Sequence, residues 1–304
     1  MSFRLPSSMQ VLERGWLSAN NILFFEGERA SLIDSGYHSH VGQTLALLHH
    51  ALAGRRLERL YITHAHSDHM GGNPAVQAAY GCQIHIPAGS AEAVARWDED
   101  ALLLAPLGQS APRYQYDHLI QAGEAFELGG LCWQAQAAPG HDMHALVYYN
   151  PEKRLLISGD ALWENGFGLV FPDLLGQPGG LDAARQTLEH LGRLAIDCVI
   201  PGHGVPFVAV DEALARAHQR LAGFIDNSEK FAWNATKVLV AFVLQDKQRL
   251  PSADFPAFVH AIPLIWSMNE RFLGLEENQL IRRVYEDLER SGALYRDGDF
   301  IYSQ

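Results

Sequence analysis

A short segment rich in histidine stands directly after an apolar run. It reads Thr63-His64-Ala65-His66-Ser67-Asp68-His69-Met70-Gly71-Gly72, so three imidazoles and one carboxylate fall within six residues. The preceding residues 57–63 have the apolar character of a buried strand, and the two glycines are expected to let the backbone bend and start a helix. Imidazole and carboxylate are the ligands that borderline divalent cations prefer. The segment therefore predicts a metal site at a strand end.

Three later segments each supply one more residue of this kind at a turn or strand end. They read Pro139-Gly140-His141, Ser158-Gly159-Asp160 and Pro201-Gly202-His203-Gly204. A lone His-x-His pair would favour a solvated loop, but ligands at the ends of several strands meet at one edge of a sheet. The four segments together predict one centre formed by His64, His66, Asp68, His69, His141, Asp160 and His203.

The alternation of strands and helices predicts an α/β fold. Strand-like runs cover residues 21–25, 30–34, 57–63, 83–86, 131–137, 145–149, 155–158 and 197–200. Helical periodicity covers 42–52 and 182–195, the latter with Asp182 as the expected N-cap. The strands form two groups of similar order, so we expect two sheets packed face to face with helices outside.

The character of the chain changes beyond Pro206, and we expect a catalytic domain over residues 1–210 and a mostly helical C-terminal domain over 211–304. Helical periodicity covers 211–231, 235–244 and 276–290, and residues 293–302 read as a hairpin with an Asp-Gly turn. A helix followed by a hairpin resembles the end of a winged-helix module. Trp266, Met268 and Phe272 are expected to pack against the catalytic domain or to roof its pocket.

The charge of the chain argues against nucleic acid as a partner. It carries 23 Lys and Arg against 35 Asp and Glu, a net charge of −12, and such a surface repels phosphate backbones. The residues from Trp233 onward include eight basic and ten acidic side chains, which is not typical of a DNA-binding wing. We therefore expect a small-molecule substrate, with a homodimer as one expectation for the assembly.

Hydropathy and cysteine usage indicate a cytoplasmic protein without a membrane partner. No run approaches the roughly 20 apolar residues that a membrane span needs, and the first residues lack the pattern of a signal peptide. Cys82, Cys132 and Cys198 are odd in number and stand in apolar, strand-like settings. They are expected to be buried free thiols rather than disulfides.

The combined motif resembles that of the metallo-β-lactamase superfamily of hydrolases, and especially its glyoxalase II and lactonase-like branches, over roughly the first 210 residues. The resemblance implies a four-layer αββα sandwich. It also implies that His64, His66 and His141 hold one metal, that Asp68, His69 and His203 hold a second, and that Asp160 bridges both. Asp34 matches a supporting position, although a turn-capping role is equally compatible with it. Zinc is the expected metal, with iron or manganese as alternatives.

Two divalent cations a few ångströms apart lower the pKa of a bridging water, so that hydroxide is available at neutral pH. The expected enzyme is therefore a dinuclear metal-dependent hydrolase that uses a metal-bridging hydroxide. Asp68 and Asp160 are the candidate catalytic residues, and Asp68 is the expected proton carrier to the leaving group. We expect a small ester-like substrate, a thioester first and a lactone second.

Several alternatives stay open at this point. The same two-metal geometry serves phosphodiesterases and nucleases, one-iron dioxygenases share much of the motif, and a regulatory ligand-binding member would keep only weak thioesterase activity. Oxidase chemistry is disfavoured because diiron relatives have a glutamate where this chain has His66. Asp142-Met143-His144 stands where glutathione-thioester hydrolases have Thr and Gly, which argues against glutathione. Trp163, Phe167 and Phe171 could line an apolar substrate pocket or simply pack in the core.

Overall fold

Two β-sheets packed face to face form the centre of the protein in the computed structural model, which describes residues 4–303. In the first sheet, β1 to β3 are antiparallel neighbours and β3 to β6 run parallel. Its six strands follow the order of the sequence: β1 (Met9–Leu12), β2 (Asn21–Glu26), β3 (Arg29–Ile33), β4 (Arg56–Tyr61), β5 (Gln83–Pro87) and β6 (His118–Ile120).

The second sheet has five strands in the order β11-β10-β9-β8-β7. Only the β10–β11 pair is parallel. The strands are β7 (Ala125–Leu128), β8 (Leu131–Ala137), β9 (Leu146–Asn150), β10 (Leu155–Gly159) and β11 (Cys198–Pro201).

Helices cover the outer face of each sheet. The outer side of the first sheet carries α1 (Val41–Leu52), α2 (Ser67–Met70), α3 (Asn73–Tyr80) and α4 (Ala91–Arg96). The outer side of the second sheet carries α5 (Phe171–Leu174), α6 (Gly180–Leu191), α7 (Val210–Ile225) and α8 (Ser228–Lys247). The αββα sandwich predicted from the sequence is confirmed. No helix within residues 4–303 is both long and apolar enough to cross a membrane.

The core between the sheets also fixes the His-rich loop. Phe24 and Trp133 meet edge to face across the two sheets, with ring centroids 5.5 Å apart. The buried Tyr148 hydroxyl donates a hydrogen bond to the Ile62 carbonyl at 2.7 Å, and the Leu146 N–H donates to the Thr63 carbonyl at 2.9 Å. Through these two bonds, β9 of the second sheet holds the segment that leads from β4 into the loop.

The C-terminal region is mostly helical, as predicted, and packs on the outer layer of the second sheet. After α8 it contains α9 (Phe255–His260), α10 (Pro263–Met268) and α11 (Glu277–Ser291), with a small sheet of β12 (Arg249–Pro251), β14 (Phe300–Ser303) and β13 (Leu294–Asp297). The β13–β14 hairpin turns at Gly298, as the Asp-Gly signal predicts. Met268 is buried in the same core, with Trp266 and Phe272 packed against it.

Two helix boundaries differ from the sequence predictions because other side chains cap these helices. Helix α6 begins at Gly180, and the carboxylate that accepts its Leu181 N–H at 2.7 Å belongs to Asp173 rather than to Asp182. The break between α7 and α8 falls at Asn227, whose side chain caps α8 by accepting from the Lys230 N–H at 2.8 Å. In the first case the capping group comes from a preceding helix, which a local sequence pattern does not show.

Two further expectations need correction. Cys132 is an exposed free thiol, because β8 alternates its side chains and Cys132 points away from the core. Gly71 has an ordinary helical backbone, with φ −61° and ψ −25°. Its lack of a side chain matters because a Cβ there would lie 2.4 Å from the Ser67 carbonyl oxygen and 2.7 Å from the His38 nitrogen. Close packing, rather than a sharp bend, requires this glycine.

The half-buried ring of His85 makes stability depend on pH. It stacks between Tyr61 and His118, with centroid distances of 4.4 and 4.6 Å, and its buried Nε2 has no hydrogen-bond partner. Burial, with the nearby charges of His118 and Arg59, lowers the pKa of His85 to about 4. The unfolded chain takes up this proton near pH 6.5. The neutral His85 ring therefore makes its full contribution to the free energy of unfolding above about pH 6.5. This contribution is lost as the pH falls toward 4.

We predict that His85→Phe flattens the dependence of unfolding free energy on pH between about 4 and 6.5, because phenylalanine keeps the ring stack and removes the proton site. Urea unfolding at several pH values measures the slope. His50→Gln, at an exposed position of α1, is the control and should keep the wild-type slope. An unchanged slope in His85→Phe would contradict the assignment.

Candidate metal centre

Side chains from four loops meet where β4, β8, β10 and β11 end. Three imidazoles and a carboxylate come from the loop after β4, and one residue comes from each of the loops that follow the other three strands. Their donor atoms form two groups, each with all atoms within 4.8 Å of one another: His64, His66 and His141, and Asp68, His69, Asp160 and His203. The structure thus brings together all seven residues selected from the sequence. Their action as ligands stays a prediction.

The first group contains only imidazoles. The Nε2 atom of His141 lies 2.8 Å from Nδ1 of His66 and 3.2 Å from Nε2 of His64. The Nδ1 atom of His141 lies 2.6 Å from the Leu169 carbonyl oxygen, which can only accept a hydrogen bond. His141 Nδ1 must therefore carry a proton, and in the neutral ring the lone pair of Nε2 points into the group.

Burial keeps these rings neutral. It lowers the pKa of His66 and of His141 to about 4, and it lowers that of His64 well below the ordinary histidine value. Positive charge on any one ring would further disfavour protonation of its neighbours. His141 Nε2 thus offers a lone pair, and the neutral rings of His64 and His66 can each turn an unprotonated nitrogen toward the same point. The group is therefore suited to a cation at neutral pH.

The second group mixes carboxylates with imidazoles. Asp68 Oδ2 lies 3.0 Å from Nε2 of His203 and 3.7 Å from Nε2 of His69. Burial alone would raise the pKa of Asp68, but charge on His69 and His203 outweighs it and lowers the pKa. Asp68 is therefore ionised, and it faces ring nitrogens at the mouth of the cluster.

Asp160 lies between the two groups. Its Oδ2 is 3.5 Å from His141 Nε2 and 3.8 Å from His203 Nε2, and its Oδ1 is 3.3 Å from His69 Nε2. Burial would raise the pKa of this carboxyl, but the charge of His203 and His69 lowers it. One ionised carboxylate thus faces donor atoms of both groups.

Asp34 supports the second group from behind. Its Oδ2 accepts from His69 Nδ1 at 2.8 Å, and its Oδ1 accepts from the Thr63 N–H at 2.8 Å. The Thr63 hydroxyl donates to Asp34 Oδ2 at 3.0 Å. Asp34 adopts a left-handed backbone, with φ 58°, which aspartate and asparagine tolerate better than other side chains. This carboxylate fixes the orientation and tautomer of His69.

The residues present fit a cation. Because His69 Nδ1 is held by Asp34, Nε2 is the atom that faces Asp68 and Asp160, and this buried atom has no hydrogen-bond partner. Burial lowers the pKa of His69, but the carboxylates of Asp34, Asp160 and Asp68 raise it well above the ordinary value. Such a concentration of buried carboxylates demands positive charge, and a bound divalent cation would supply it in place of the proton.

Two glycines allow the ligands to approach. A Cβ at Gly202 would lie 2.3 Å from Oδ1 of Asp160, and a Cβ at Gly168 would lie 2.5 Å from Nδ1 of His141. Gly202 belongs to a motif already selected from the sequence, but Gly168 stands outside the predicted site. Any side chain at either position would displace a candidate ligand.

Aromatic side chains surround the cluster: Trp163, Phe167 and Phe171 had been selected from the sequence as possible pocket residues and do line cavities here, whereas Trp16 and Phe242 were missed. Trp16, in the loop before β2, stacks on His203 with centroids 5.5 Å apart, and Trp163 donates from Nε1 to Asp160 Oδ1 at 3.2 Å. A cavity of about 70 Å³ against the cluster is lined by Phe171 and, from α8, by Val238 and Phe242. The roof is therefore formed by α8 and not by Trp266, Met268 and Phe272.

Two larger cavities flank this space. One of about 390 Å³ lies beside His66 and His141 and has several charged residues in its wall, among them Arg96. The other, of about 590 Å³, lies beside His203 and has a mostly apolar and aromatic wall that includes Trp163 and Phe167. The cluster thus lies between a polar opening and an apolar one.

Comparison with known proteins gives a consistent result. The family model described as "Metallo-beta-lactamase superfamily" matches residues 14–203, more than half of the chain. Hydroxyacylglutathione hydrolase from Bartonella tribocorum is 29% identical over 126 residues, which cover 41% of this chain and 42% of that protein. The protein of the same name from Pseudomonas aeruginosa is 29% identical over 252 residues, which cover 82% of this chain and 78% of that protein. The chain thus aligns with less than half of the first relative and with most of the second.

Solved structures share the fold. A metallo-beta-lactamase family protein from Thermus thermophilus matches 99% of this chain and 100% of its own, with a TM-score of 0.59 and 18% identity. A beta-lactamase domain protein from Burkholderia ambifaria matches 99% of this chain and 94% of its own, with a TM-score of 0.59 and 19% identity. At such identities the similarity concerns the fold.

We predict that Asp34→Asn weakens metal binding by about 10- to 100-fold, the usual cost of losing a partner that orients a ligand. Asparagine tolerates the left-handed backbone, so the fold should persist. Competition with a chromophoric chelator measures the affinity, and circular dichroism checks the fold. Asp117→Asn removes an exposed carboxylate that accepts from the Ile84 N–H and should bind metal like the wild type. Equal affinity in the Asp34 variant would contradict the supporting role.

Proposed function

The chain belongs to the metallo-beta-lactamase superfamily, and from this premise we propose that it is a dinuclear metal-dependent hydrolase of small ester-like substrates, thioesters before lactones. The observation that carries the proposal is the position of Asp160, whose carboxylate faces His141 of one donor group and His69 of the other. A carboxylate in that position can bridge two cations.

In this proposal His64, His66 and His141 would hold one cation, Asp68, His69 and His203 would hold the other, and Asp160 would be shared between them. Zinc is the first choice because four-coordinate nitrogen and oxygen sites suit it, with iron or manganese as alternatives. When bound, a pair of divalent cations supplies a deprotonated water at neutral pH and polarises the oxygen of the bond under attack.

Asp68 is the proposed proton carrier. Its carboxyl group is held ionised by the charge of His69 and His203, and it lines the small cavity against the cluster. An ionised carboxylate at that place can accept the proton released during attack and return it to the leaving group. Asp160, which has imidazoles on both sides, is the poorer carrier because its charge is needed between the cations.

The shape of the site favours small substrates. The space directly against the cluster is about 70 Å³ and is roofed by Leu239 and Phe242 of α8. The apolar cavity beside His203 shares Trp16, Trp163 and Phe242 with this space, so an acyl carbonyl can approach the cluster from that side. The small, apolar approach therefore supports an acyl substrate over a phosphodiester chain.

The relatives support a thioester as the first class to test, since their name, hydroxyacylglutathione hydrolase, refers to an acyl group on a thiol. Glutathione itself is not the proposed thiol. Asp142, which follows His141, places a carboxylate Oδ2 3.8 Å from His66 Nε2 and at the wall of the polar cavity. The negative charge there disfavours an anionic peptide on that side of the cluster.

We predict that the metal-loaded protein hydrolyses acyl thioesters and that His66→Ala and Asp160→Asn each lower kcat/KM by at least about 10²-fold, because each removes a group that holds metal. A coloured thiol reagent measures the release of thiol. His49→Ala, at an exposed position of α1, is the control. Turnover that survives both variants would sink the proposal, and faster hydrolysis of bis-p-nitrophenyl phosphate than of any thioester would replace it with a phosphodiesterase.

A second prediction concerns Asp68. If it delivers a proton to the leaving group, Asp68→Asn should slow hydrolysis of an alkyl lactone more than that of the matched thioester, because an alkoxide needs the proton more than a thiolate does. The ratio of the variant kcat to the wild-type kcat should be at least about tenfold lower for the lactone than for the thioester. A difference of this size is within the range of general acid catalysis. Elemental analysis must show the same metal content in both proteins. Equal losses for the two substrates would exclude the proton-carrier role.

A further inference from the structure

One arginine side chain, that of Arg220, lines the apolar cavity beside His203. Its volume is about 590 Å³, and its wall is formed by the loop that carries Trp16, by the loop after β10 and by helices α7 and α8. Trp163, Phe167 and Phe242 make this wall aromatic, and the guanidinium of Arg220 from α7 lies among them. A positive charge therefore lies in the wall of a mostly apolar cavity.

Arg220 has no anionic partner among residues 4–303. Its guanidinium lies over the rings of Phe167 and Phe224, at 5.8 and 5.4 Å from their centroids. Burial lowers the pKa of Arg220, and no carboxylate offsets that effect. Glu164 lines the same cavity but is not ion-paired with it. By contrast Arg216, one turn earlier on α7, donates to the Glu164 carbonyl at 2.9 and 2.7 Å.

The fold leaves room for the Arg220 side chain. A Cβ at Gly166 would lie 2.8 Å from Nη1 of Arg220, so a side chain there would push the guanidinium away. Gly166 also has a φ of 135°, which only glycine adopts readily. Phe167 and Gly166 of the loop after β10, together with the Phe224 ring of α7, thus hold the guanidinium in place without neutralising it.

A partly buried cation without a counter-charge costs free energy. A guanidinium presents planar donors that match a carboxylate, and a hydrogen bond between two charged groups is among the stronger ones in proteins. A ligand with an apolar body and a carboxylate would satisfy the aromatic wall and Arg220 together. Within the described residues, the protein does not itself pair Arg220 with a carboxylate.

We infer that the cavity beside His203 binds the apolar portion of the substrate and that Arg220 recognises a carboxylate on it, remote from the scissile bond. This inference rests on the proposed function, because it identifies the cavity as the substrate site of the same metal centre. The substrate class is an ester-like compound with an apolar body and one anionic end. The carboxylate belongs either to the acyl chain or to the thiol that leaves.

Three thioesters separate these sources. The octanoyl thioester of N-acetylcysteamine is neutral, and the suberyl half-thioester of the same thiol has a carboxylate at the far end of the acyl chain. The octanoyl thioester of 6-mercaptohexanoate has the carboxylate at the far end of the thiol. We expect one of the two anionic substrates to have a KM at least about tenfold below that of the neutral one, the gain expected for one charge-assisted hydrogen bond. Equal KM values for all three would overturn the inference.

Variants test whether Arg220 causes the preference for an anionic substrate over the neutral one. Arg220→Met should raise the KM of the preferred anionic substrate to that of the neutral one, with kcat unchanged, and Arg220→Lys should keep part of the preference. Arg193→Met, which removes the same charge from a side chain that is 74% exposed, should keep all of it. If Arg220→Met raises the KM of neutral and anionic substrates alike, the guanidinium serves packing and the inference fails.

Binding gives a readout that does not require hydrolysis. Trp16 and Trp163 line the cavity, so octanoate, which joins an apolar chain to one carboxylate, should change the tryptophan fluorescence of the wild-type protein saturably. Its affinity for Arg220→Met should be at least about tenfold lower, whereas the neutral octanamide should bind both proteins equally. If no thioester is hydrolysed but this difference is observed, the proposed reaction is wrong and the anion site stands. If thioesters are hydrolysed without any such difference, the reaction stands and the anion site is wrong.

Discussion

The buried carboxylate of Asp160 sets the condition that the rest of the structure satisfies. Only 6% of this residue is exposed, and imidazole nitrogens of His69, His141 and His203 surround it at 3.3 to 3.8 Å. A buried charge without compensation is costly. Hydrogen bonds on the outer side fix the orientation of two of these rings. The Leu169 carbonyl accepts from His141 and leaves its Nε2 lone pair directed inward, and Asp34 accepts from His69 Nδ1 and directs Nε2 of that ring inward. The ring orientations in the site are thus suited to binding cations.

The sandwich fold makes this arrangement possible because strand ends from both sheets meet at one place. The loop after β4 belongs to the first sheet, and the loops after β8, β10 and β11 belong to the second. Hydrogen bonds from β9 to residues 62 and 63 join the two halves behind the cluster. The added helix α8 then reduces the space over the cluster and leaves an apolar approach on the side of His203.

The sequence predicts the parts of this structure in which local pattern and chemistry agree. The apolar runs that became β2 to β5 and β8 to β11, and the crowding of His64 to His69, have strong local signals. Strands β1, β6 and β7 were missed because each has four residues or fewer and little alternation. The stack of Trp16 on His203 joins residues far apart in sequence, and nothing in the neighbourhood of Trp16 indicates it. The unpaired charge of Arg220 likewise became visible only when the neighbours of α7 were known.

If Asp160 acts as proposed, its carboxylate is shared by two cations. Anomalous diffraction from crystals of the metal-loaded protein, recorded on both sides of the zinc absorption edge, tests it most directly. We expect two peaks about 3.5–4 Å apart, one bound by His64, His66 and His141 and the other by Asp68, His69 and His203. An Asp160 oxygen should lie about 2.0–2.2 Å from each. A single peak at full metal loading, or two peaks of which only one contacts Asp160, would contradict it.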